Sequence, residues 1–179
     1  LRNGTTRSRL FLLGSMPREK LASQDYVQAV LSTCRDNDSN VRERAVSELI
    51  RLPLKDKFAR FAEERTKQLR ASLNDAEPQV AYLAAVELLD SESDSAAVAQ
   101  ALFRAYEKPK YGQQKLEVLN RLAIMGPRAA SVASQVAALL QRDEESKGED
   151  HNIADDWIRR FHSGDMRSRQ LIAAVALAR

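Results

Sequence analysis

The stretch from Asp75 to Leu89 constrains the fold more than any other feature, because it occurs a second time in altered form. The same apolar positions recur at an offset of 39 residues, as Val41, Ala45 and Leu49 in one copy and Val80, Ala84 and Leu88 in the other. In a weaker third copy, Val118 and Leu122 follow Ala84 and Leu88 by 34 residues. Units of roughly 35 to 45 residues that form a helix, a short turn and a helix are typical of helical solenoids.

Composition favours helices over strands. The 179 residues include only 6 Gly and 5 Pro, and the sequence lacks the alternating β-branched runs that indicate strands. We therefore predict an all-α protein, a right-handed α-solenoid of about ten helices in antiparallel pairs. In this prediction residues 1–179 form a single helical-repeat domain. The start at Leu1 rather than Met indicates a piece of a longer solenoid.

Apolar stripes at helical spacing predict the individual helices. They cover residues 6–13, 21–34, 41–52, 55–73, 78–89, 96–106 and 113–125, then a helix from Pro127, one with Trp157 and one with Leu171.

Local signals predict how some of these helices begin and end. Asn40 is the predicted cap of the third helix, with Glu43 in a capping-box arrangement. Gly126 is expected to end a helix in left-handed conformation, and Pro127 to begin the next. The segment from Arg142 to His151 is longer and more acidic than the other turns, and we interpret it as an inserted acidic loop.

The residues at Asp38–Leu52 and Asp75–Leu89 resemble the HEAT repeat, whose second helix opens with an Asp-containing turn and a Val-Arg pair. Val41-Arg42 matches that pair, and Leu122 to Pro127 resembles the end of a bacterial HEAT-like unit of the phycobilisome-lyase-like subset. The resemblance covers about three-quarters of the chain. It departs from the family pattern where Ala81 replaces the arginine. It implies HEAT-like, armadillo-type helix pairs and a scaffold that holds another macromolecule in a concave groove.

The helical stripes predict a partner surface. If Val41, Ala45 and Leu49 face the core, Arg44, Glu48 and Arg51 on the same helix lie off that stripe. Adding the repeat offsets to their numbers gives the equivalent positions on the later helices. The predicted partner-binding ridge comprises Arg44, Glu48, Arg51, Leu83, Glu87, Asp90, Glu117 and Arg121. Its charges alternate in sign, which suits a protein segment better than a phosphate backbone. We therefore predict a non-catalytic scaffold or adaptor that binds another protein.

A nucleic-acid-binding module of a chromosome-associated or repair protein is the alternative. Basic clusters lie at both ends of the chain, Arg7, Arg9, Arg18 and Lys20 at one and Arg159, Arg160, Arg167 and Arg169 at the other. Between them, residues 75–94 contain no Lys or Arg. A continuous basic track is therefore missing, although the net charge is +3.

The sequence gives little support to several other classes of protein. The sequence has no phosphate-binding loop, zinc-protease motif or nucleophile elbow, so we predict no enzyme and no cofactor. Cys34 lies on an apolar stripe and is interpreted as a small core residue, and His151 and His162 fit no standard metal site. No apolar run is long enough to predict a membrane span. A single cysteine fits a reducing compartment, which predicts an intracellular location.

Overall fold

The computed structural model describes residues 4–15, 23–52, 60–91, 93–111 and 113–145. Within these ranges every regular element is helical, which confirms the predicted all-α class. The α-helices are α1 (Thr6–Ser15), α2 (Gln24–Thr33), α3 (Ser39–Arg51), α4 (Arg60–Ser72), α5 (Pro78–Glu87), α6 (Ser95–Glu107), α7 (Gln114–Met125) and α8 (Ala133–Glu145). A 3₁₀ segment, Gly126–Val132, joins α7 to α8.

Backbone contacts divide the chain into two compact units, Leu1–Glu87 and Leu88–Arg179. In the first unit α1 contacts α3 and α3 contacts α5, so these three helices form one layer. α2 and α4 contact each other and form the second layer. Contacts of α2 with α3 and of α4 with α5 join the layers. Consecutive helices therefore alternate between two layers, as in helical repeat proteins.

The predicted repeat positions form the core of this first unit. Val41, Ala45 and Leu49 on α3 are completely buried, as are Val80 and Ala84 on α5. Burying an aliphatic side chain of the size of Val or Leu contributes roughly 1.5–3 kcal/mol. The recurring stripe was therefore correctly interpreted as the buried face of the layer that contains α3 and α5.

The start of α3 differs from the prediction. Asp38, rather than Asn40, is the N-cap: its carboxylate accepts hydrogen bonds from the backbone N–H groups of Asn40 (2.9 Å) and Val41 (3.4 Å). Partial burial opposes ionisation of Asp38, but these bonds and one from the Thr6 hydroxyl outweigh it and lower the pKa of the carboxyl. The helix gains two more residues because Asp is an equally good cap and stands earlier in the chain.

In the second unit, α6 packs against α7 and against the 3₁₀ segment. Gly126 has a φ of 55° and ends α7, so a positive φ was correctly predicted at this glycine. Pro127 begins a 3₁₀ segment instead of the predicted α-helix. Two hydrogen bonds hold this segment. The guanidinium of Arg128 donates to the Leu89 carbonyl at 3.1 Å, and the side-chain amide of Gln100 donates to the Ser131 carbonyl at 2.9 Å.

The acidic loop predicted at residues 142–151 falls partly on helix α8, which continues to Glu145. The remainder of that loop lies outside the described residues. The same holds for the two predicted helices with Trp157 and Leu171, and for the basic cluster from Arg159 to Arg169.

Among the described residues, one stretch is long and apolar enough to span a membrane, by length and composition only. It runs from Gln114 to Leu139, and an 18-residue window within it has a mean hydropathy of 1.2 and is 44% buried. This is weak evidence for a membrane span, because the buried core helix of a soluble protein meets the same criterion. The stretch also contains the positive-φ glycine Gly126, at which α7 ends.

Candidate partner-binding surface

Arg42 on α3 is bonded to the carboxylate of Asp75. Its Nε and Nη2 atoms donate to Oδ2 and Oδ1, both at 2.8 Å, and Nη1 donates to the carbonyls of Asp36 and Asn37 at 2.9 and 3.1 Å. Asp75 also accepts from the backbone N–H of Glu77 at 2.9 Å. The two side chains are only 17% and 12% exposed, and the bonds to Asp75 raise the pKa of Arg42. This partly buried, bidentate pair therefore fixes the turn before α5 to the start of α3.

Arg9 on α1 forms a similar ion pair with an aspartate one repeat earlier. Its Nη2 donates to Oδ1 of Asp36 at 3.1 Å, and its Nε lies 3.1 Å from Oδ2. Its Nη1 donates to the carbonyl of Gly4, five residues earlier in the chain. The Nη1 of Arg42 likewise donates to the carbonyl of Asn37, five residues before Arg42. Asp36 accepts from the backbone N–H two residues later at 2.9 Å, as Asp75 does. The structure thus repeats an arginine–aspartate link, and not only an apolar stripe.

Sequence reasoning missed these links, although it recorded the Val41-Arg42 pair and the Asp-containing turns. The signal was present: Arg9 and Arg42 each occupy the fourth position of their helix, and Asp36 and Asp75 each precede the next helix by three residues. The equivalent of Asp75 is therefore Asp36, not the cap Asp38. Arg9 does not belong to an available basic cluster, because Asp36 occupies its guanidinium.

Three predicted ridge residues, Arg44, Glu48 and Arg51, form one ionic cluster on α3. Arg44 lies 3.1 Å and Arg51 3.6 Å from the same oxygen, Oε1 of Glu48. The Glu48 side chain is 8% exposed, whereas that of Arg44 is 38% and that of Arg51 65% exposed. Glu48 is thus a buried anchor for two arginines rather than an exposed contact residue, which corrects its predicted role on the ridge.

Tyr26 on α2 lies beside this cluster, and sequence reasoning missed it because it was not among the stripe residues. The side chain is 4% exposed, and its hydroxyl donates a long bond (3.4 Å) to the Leu13 carbonyl. Burial raises the pKa of Tyr26, the charge of Glu48 raises it further, and the charge of Arg44 opposes both. The phenol therefore stays neutral at physiological pH.

Glu87 and Leu83 lie on α5, as predicted, and Glu87 is paired with Arg65 of α4. Arg65 also donates to the carbonyl of Ile50 at 3.2 Å, so it joins the C-terminal ends of α3 and α5. Leu83 is half-buried on the same helix. Arg65 had no sequence signal, because its helix carries many charges of both signs. We use the name α3–α5 ridge for Arg44, Glu48, Arg51, Leu83 and Glu87.

The other predicted ridge residues belong to the second unit. Glu117 and Arg121 form an ion pair one turn apart on α7. Asp90 is exposed and lies in the turn after α5, not on a helix as predicted.

The other layer of the first unit carries a polar cleft of about 400 Å³ between α2 and α4. Two hydrogen bonds cross it, from Gln28 to Glu64 (3.3 Å) and from Arg35 to Gln68 (3.1 Å). These four lining side chains therefore already satisfy one another across the cleft.

Cys34 has no reactive character. The thiol is 3% exposed, and burial raises its pKa to about 12, so it is protonated at neutral pH. This confirms its interpretation as a small core residue.

Among the described residues, no group of three or more His, Cys, Asp or Glu side chains is placed to hold a metal ion. His151 and His162 lie outside the described ranges.

The α3–α5 ridge can thus offer a ligand partly exposed guanidinium groups beside an apolar side chain. Comparisons with models of protein families, with curated proteins and with solved structures found no match for this chain.

Proposed function

We propose that this protein is a non-catalytic scaffold of the HEAT-like, armadillo-type class, and that the α3–α5 ridge binds a segment of another protein. The observation that carries the proposal is the exposure of Arg51, which is 65% accessible and held by Glu48 only at 3.6 Å. Its guanidinium has five N–H donors, and the ion pair with Glu48 involves Nη1. A partner carboxylate can bind there without displacing a strong internal bond.

The repeated arginine–aspartate links support the HEAT-like assignment and the solenoid. A turn aspartate bonded to an arginine of the preceding repeat locks each helix pair onto the next, and the first unit has two such links. The resemblance at Val41-Arg42 rests on one of the arginines involved. A right-handed solenoid of about ten helices would extend the same packing along the chain, and such stacks use the ladder of one helix layer for binding.

The balance of charges indicates the partner's chemistry. Among the residues that the structure describes on and beside the α3–α5 ridge, the ion pairs of Arg44, Arg51 and Arg65 use two carboxylates, those of Glu48 and Glu87. One positive charge is therefore left over. We propose a protein segment with an acidic side chain for Arg51 and an apolar side chain for Leu83, in keeping with the matched charges of specific interfaces. An intracellular location is part of the same proposal and rests on the single buried thiol.

Charge reversal at Arg51 tests the proposal. The chain is used as bait in nuclease-treated lysate of the source cell, and retained proteins are compared for wild type and Arg51→Glu. We expect at least about a tenfold loss of the retained partner, because the reversed charge repels the carboxylate that Arg51 binds.

Lys67→Glu is the matched control, since Lys67 is exposed on α4 in the other layer. It makes the same change of charge and should leave retention unaltered. Thermal unfolding of all three proteins excludes a folding defect. Equal retention by wild type and Arg51→Glu, or equal losses in both variants, would contradict binding at the ridge.

A further inference from the structure

Residues 108–111, after α6, present an exposed aromatic side chain whose backbone is hydrogen-bonded to the start of α7. Tyr111 is 60% exposed, among the most exposed large hydrophobic side chains of the described residues. Its carbonyl accepts the backbone N–H of Gln114 at 3.0 Å, and the Gln114 side chain accepts the N–H of Lys110 at 2.6 Å. Gln114 itself is 4% exposed. The buried Gln114 therefore holds the backbone at Lys110 and Tyr111, the residues from which the ring projects.

Lysines flank Tyr111 in the sequence, and the ammonium of one of them lies over its ring. Lys108 and Lys110 are both exposed on the N-terminal side of Tyr111. The ammonium of Lys110 lies 5.7 Å from the Tyr111 ring centroid, and that of Lys115 lies 5.3 Å from the centroid of Tyr106. Between residues 106 and 115 the three lysines are accompanied by a single acidic residue, Glu107. The turn is thus a small basic surface with an aromatic platform at its centre.

This combination selects for one ligand chemistry. The face of an aromatic ring is the negative end of its quadrupole, so it attracts the Lys110 ammonium and gives a carboxylate nothing. A planar nucleobase stacks on such a face, and its phosphate needs cations nearby. A peptide with acidic side chains would use the lysines but not the ring. A duplex would offer phosphates, but its bases are already stacked on one another.

We propose that the turn Lys108–Tyr111 is a contact site for single-stranded nucleic acid. One base stacks on the face of Tyr111 opposite the Lys110 ammonium, and Lys108 and Lys110 neutralise the flanking phosphates. The site shares no residue with the α3–α5 ridge and does not depend on the function proposed for it. It adds a second class of ligand to the chain.

The test measures fluorescence anisotropy of a labelled oligothymidylate of about ten nucleotides with the full chain at low salt. Tyr111→Ala should weaken binding by about 5- to 150-fold, the range that corresponds to the loss of one stacked base. Tyr111→Phe keeps the ring and should bind within about twofold of wild type. Lys108→Gln and Lys110→Gln should each weaken binding and make its salt dependence shallower by about 0.7 in slope.

Lys67→Gln, an exposed lysine in the first unit, is the matched control and should change affinity least of the lysine variants. Absence of binding at low salt, or equal affinity of wild type and Tyr111→Ala, would overturn the proposal. So would tighter binding of a duplex of the same length, or equally strong competition by polyglutamate, which would point to an acidic protein ligand. Retention of a protein partner by the α3–α5 ridge should be the same in Tyr111→Ala, which separates the two functions.

Discussion

At the scale of single residues, Arg42 and Asp75 do the most to define the first unit. Each is bonded both to the other and to backbone groups of its own turn, so the pair joins two segments that are 33 residues apart. Because both side chains are largely removed from solvent, the pair is screened less than a surface ion pair.

A double-mutant cycle of Arg42→Ala and Asp75→Ala should therefore give a coupling free energy of about 1–3 kcal/mol. The hydrogen bond that Asp75 accepts from the backbone N–H of Glu77 is lost in Asp75→Ala and also in the double variant, so it cancels in the cycle. Free energies of unfolding from denaturant titrations supply the measurement.

The pair Glu117–Arg121 is the matched comparison within the same chain. It joins residues four apart on one helix and is more exposed, at 50% and 24%. Its coupling should be only about 0.3–0.5 kcal/mol. If Arg42 and Asp75 coupled no more strongly than this, the link would not be a determinant of the fold.

Asp38 makes the stability of the first unit depend on pH. Its folded-state pKa lies below the unfolded value, which is about 3.9. The stability that it contributes is fully present above the unfolded pKa and is lost as the pH falls through the folded pKa. Asp38→Ala removes this contribution at every pH. The stability difference between wild type and Asp38→Ala should thus be constant near neutrality and shrink below about pH 4. A constant difference down to pH 2 would rule out this role.

How much of the candidate site could be predicted differs from residue to residue. Helical spacing placed Arg44, Arg51, Leu83 and Glu87 off the buried stripe, since periodicity alone determines which face a residue occupies. It could not show that Glu48 is buried, because burial at the edge of a stripe depends on how closely the neighbouring helix approaches. Ionic partners from other helices, such as Arg65, follow only from the tertiary packing.

At the scale of elements, the end of α7 depends on one glycine. Gly126 combines a φ of 55° with a ψ of −127°, and its N–H bonds back to the carbonyls of Ala123 and Leu122. A Cβ atom clashes with the backbone in this conformation. We expect Gly126→Ala to lower the free energy of unfolding by about 1–3 kcal/mol. Ala130→Ser, an exposed change in the same 3₁₀ segment, should stay within about 0.5 kcal/mol of wild type. Equal effects of the two changes on thermal unfolding would contradict the strain argument.

Element positions were more predictable from the sequence than element ends. The stripes located every described α-helix, because each buries a face against a neighbouring element. Helix ends depend on local competition: Asp38 supplanted Asn40 as a cap, and Pro127 begins a 3₁₀ segment. α8 enters the predicted acidic loop because residues 142–147 include no glycine or proline that would stop a helix, and charge alone does not stop one.

At the scale of the whole molecule, the repeats weaken where the first unit ends. The third copy kept its apolar positions Val118 and Leu122, and both are completely buried in the second unit. The arginine and aspartate positions of the repeat did not persist. Ala81 occupies the fourth position of α5, where α1 and α3 carry arginine, and Tyr111 precedes α7 by three residues, where Asp36 and Asp75 precede their helices. Apolar spacing thus identified more repeats than the ionic pattern does.

The arginine–aspartate link has a consequence for how such a chain can lengthen in evolution. The donor belongs to one helix pair and the acceptor to the turn of the next, so the pair α2–α3 carries one half of each of two bonds, Asp36 for Arg9 and Arg42 for Asp75. An in-frame duplication of this helix pair adds one arginine and one aspartate. The added arginine can bond to the existing aspartate, and the added aspartate to the existing arginine. Every link between neighbouring pairs is then still made. Deletion of a pair rejoins the flanking halves in the same way. The gene can therefore gain or lose repeats without a compensating substitution, and replacement of the arginine, as at Ala81, removes this freedom at that position.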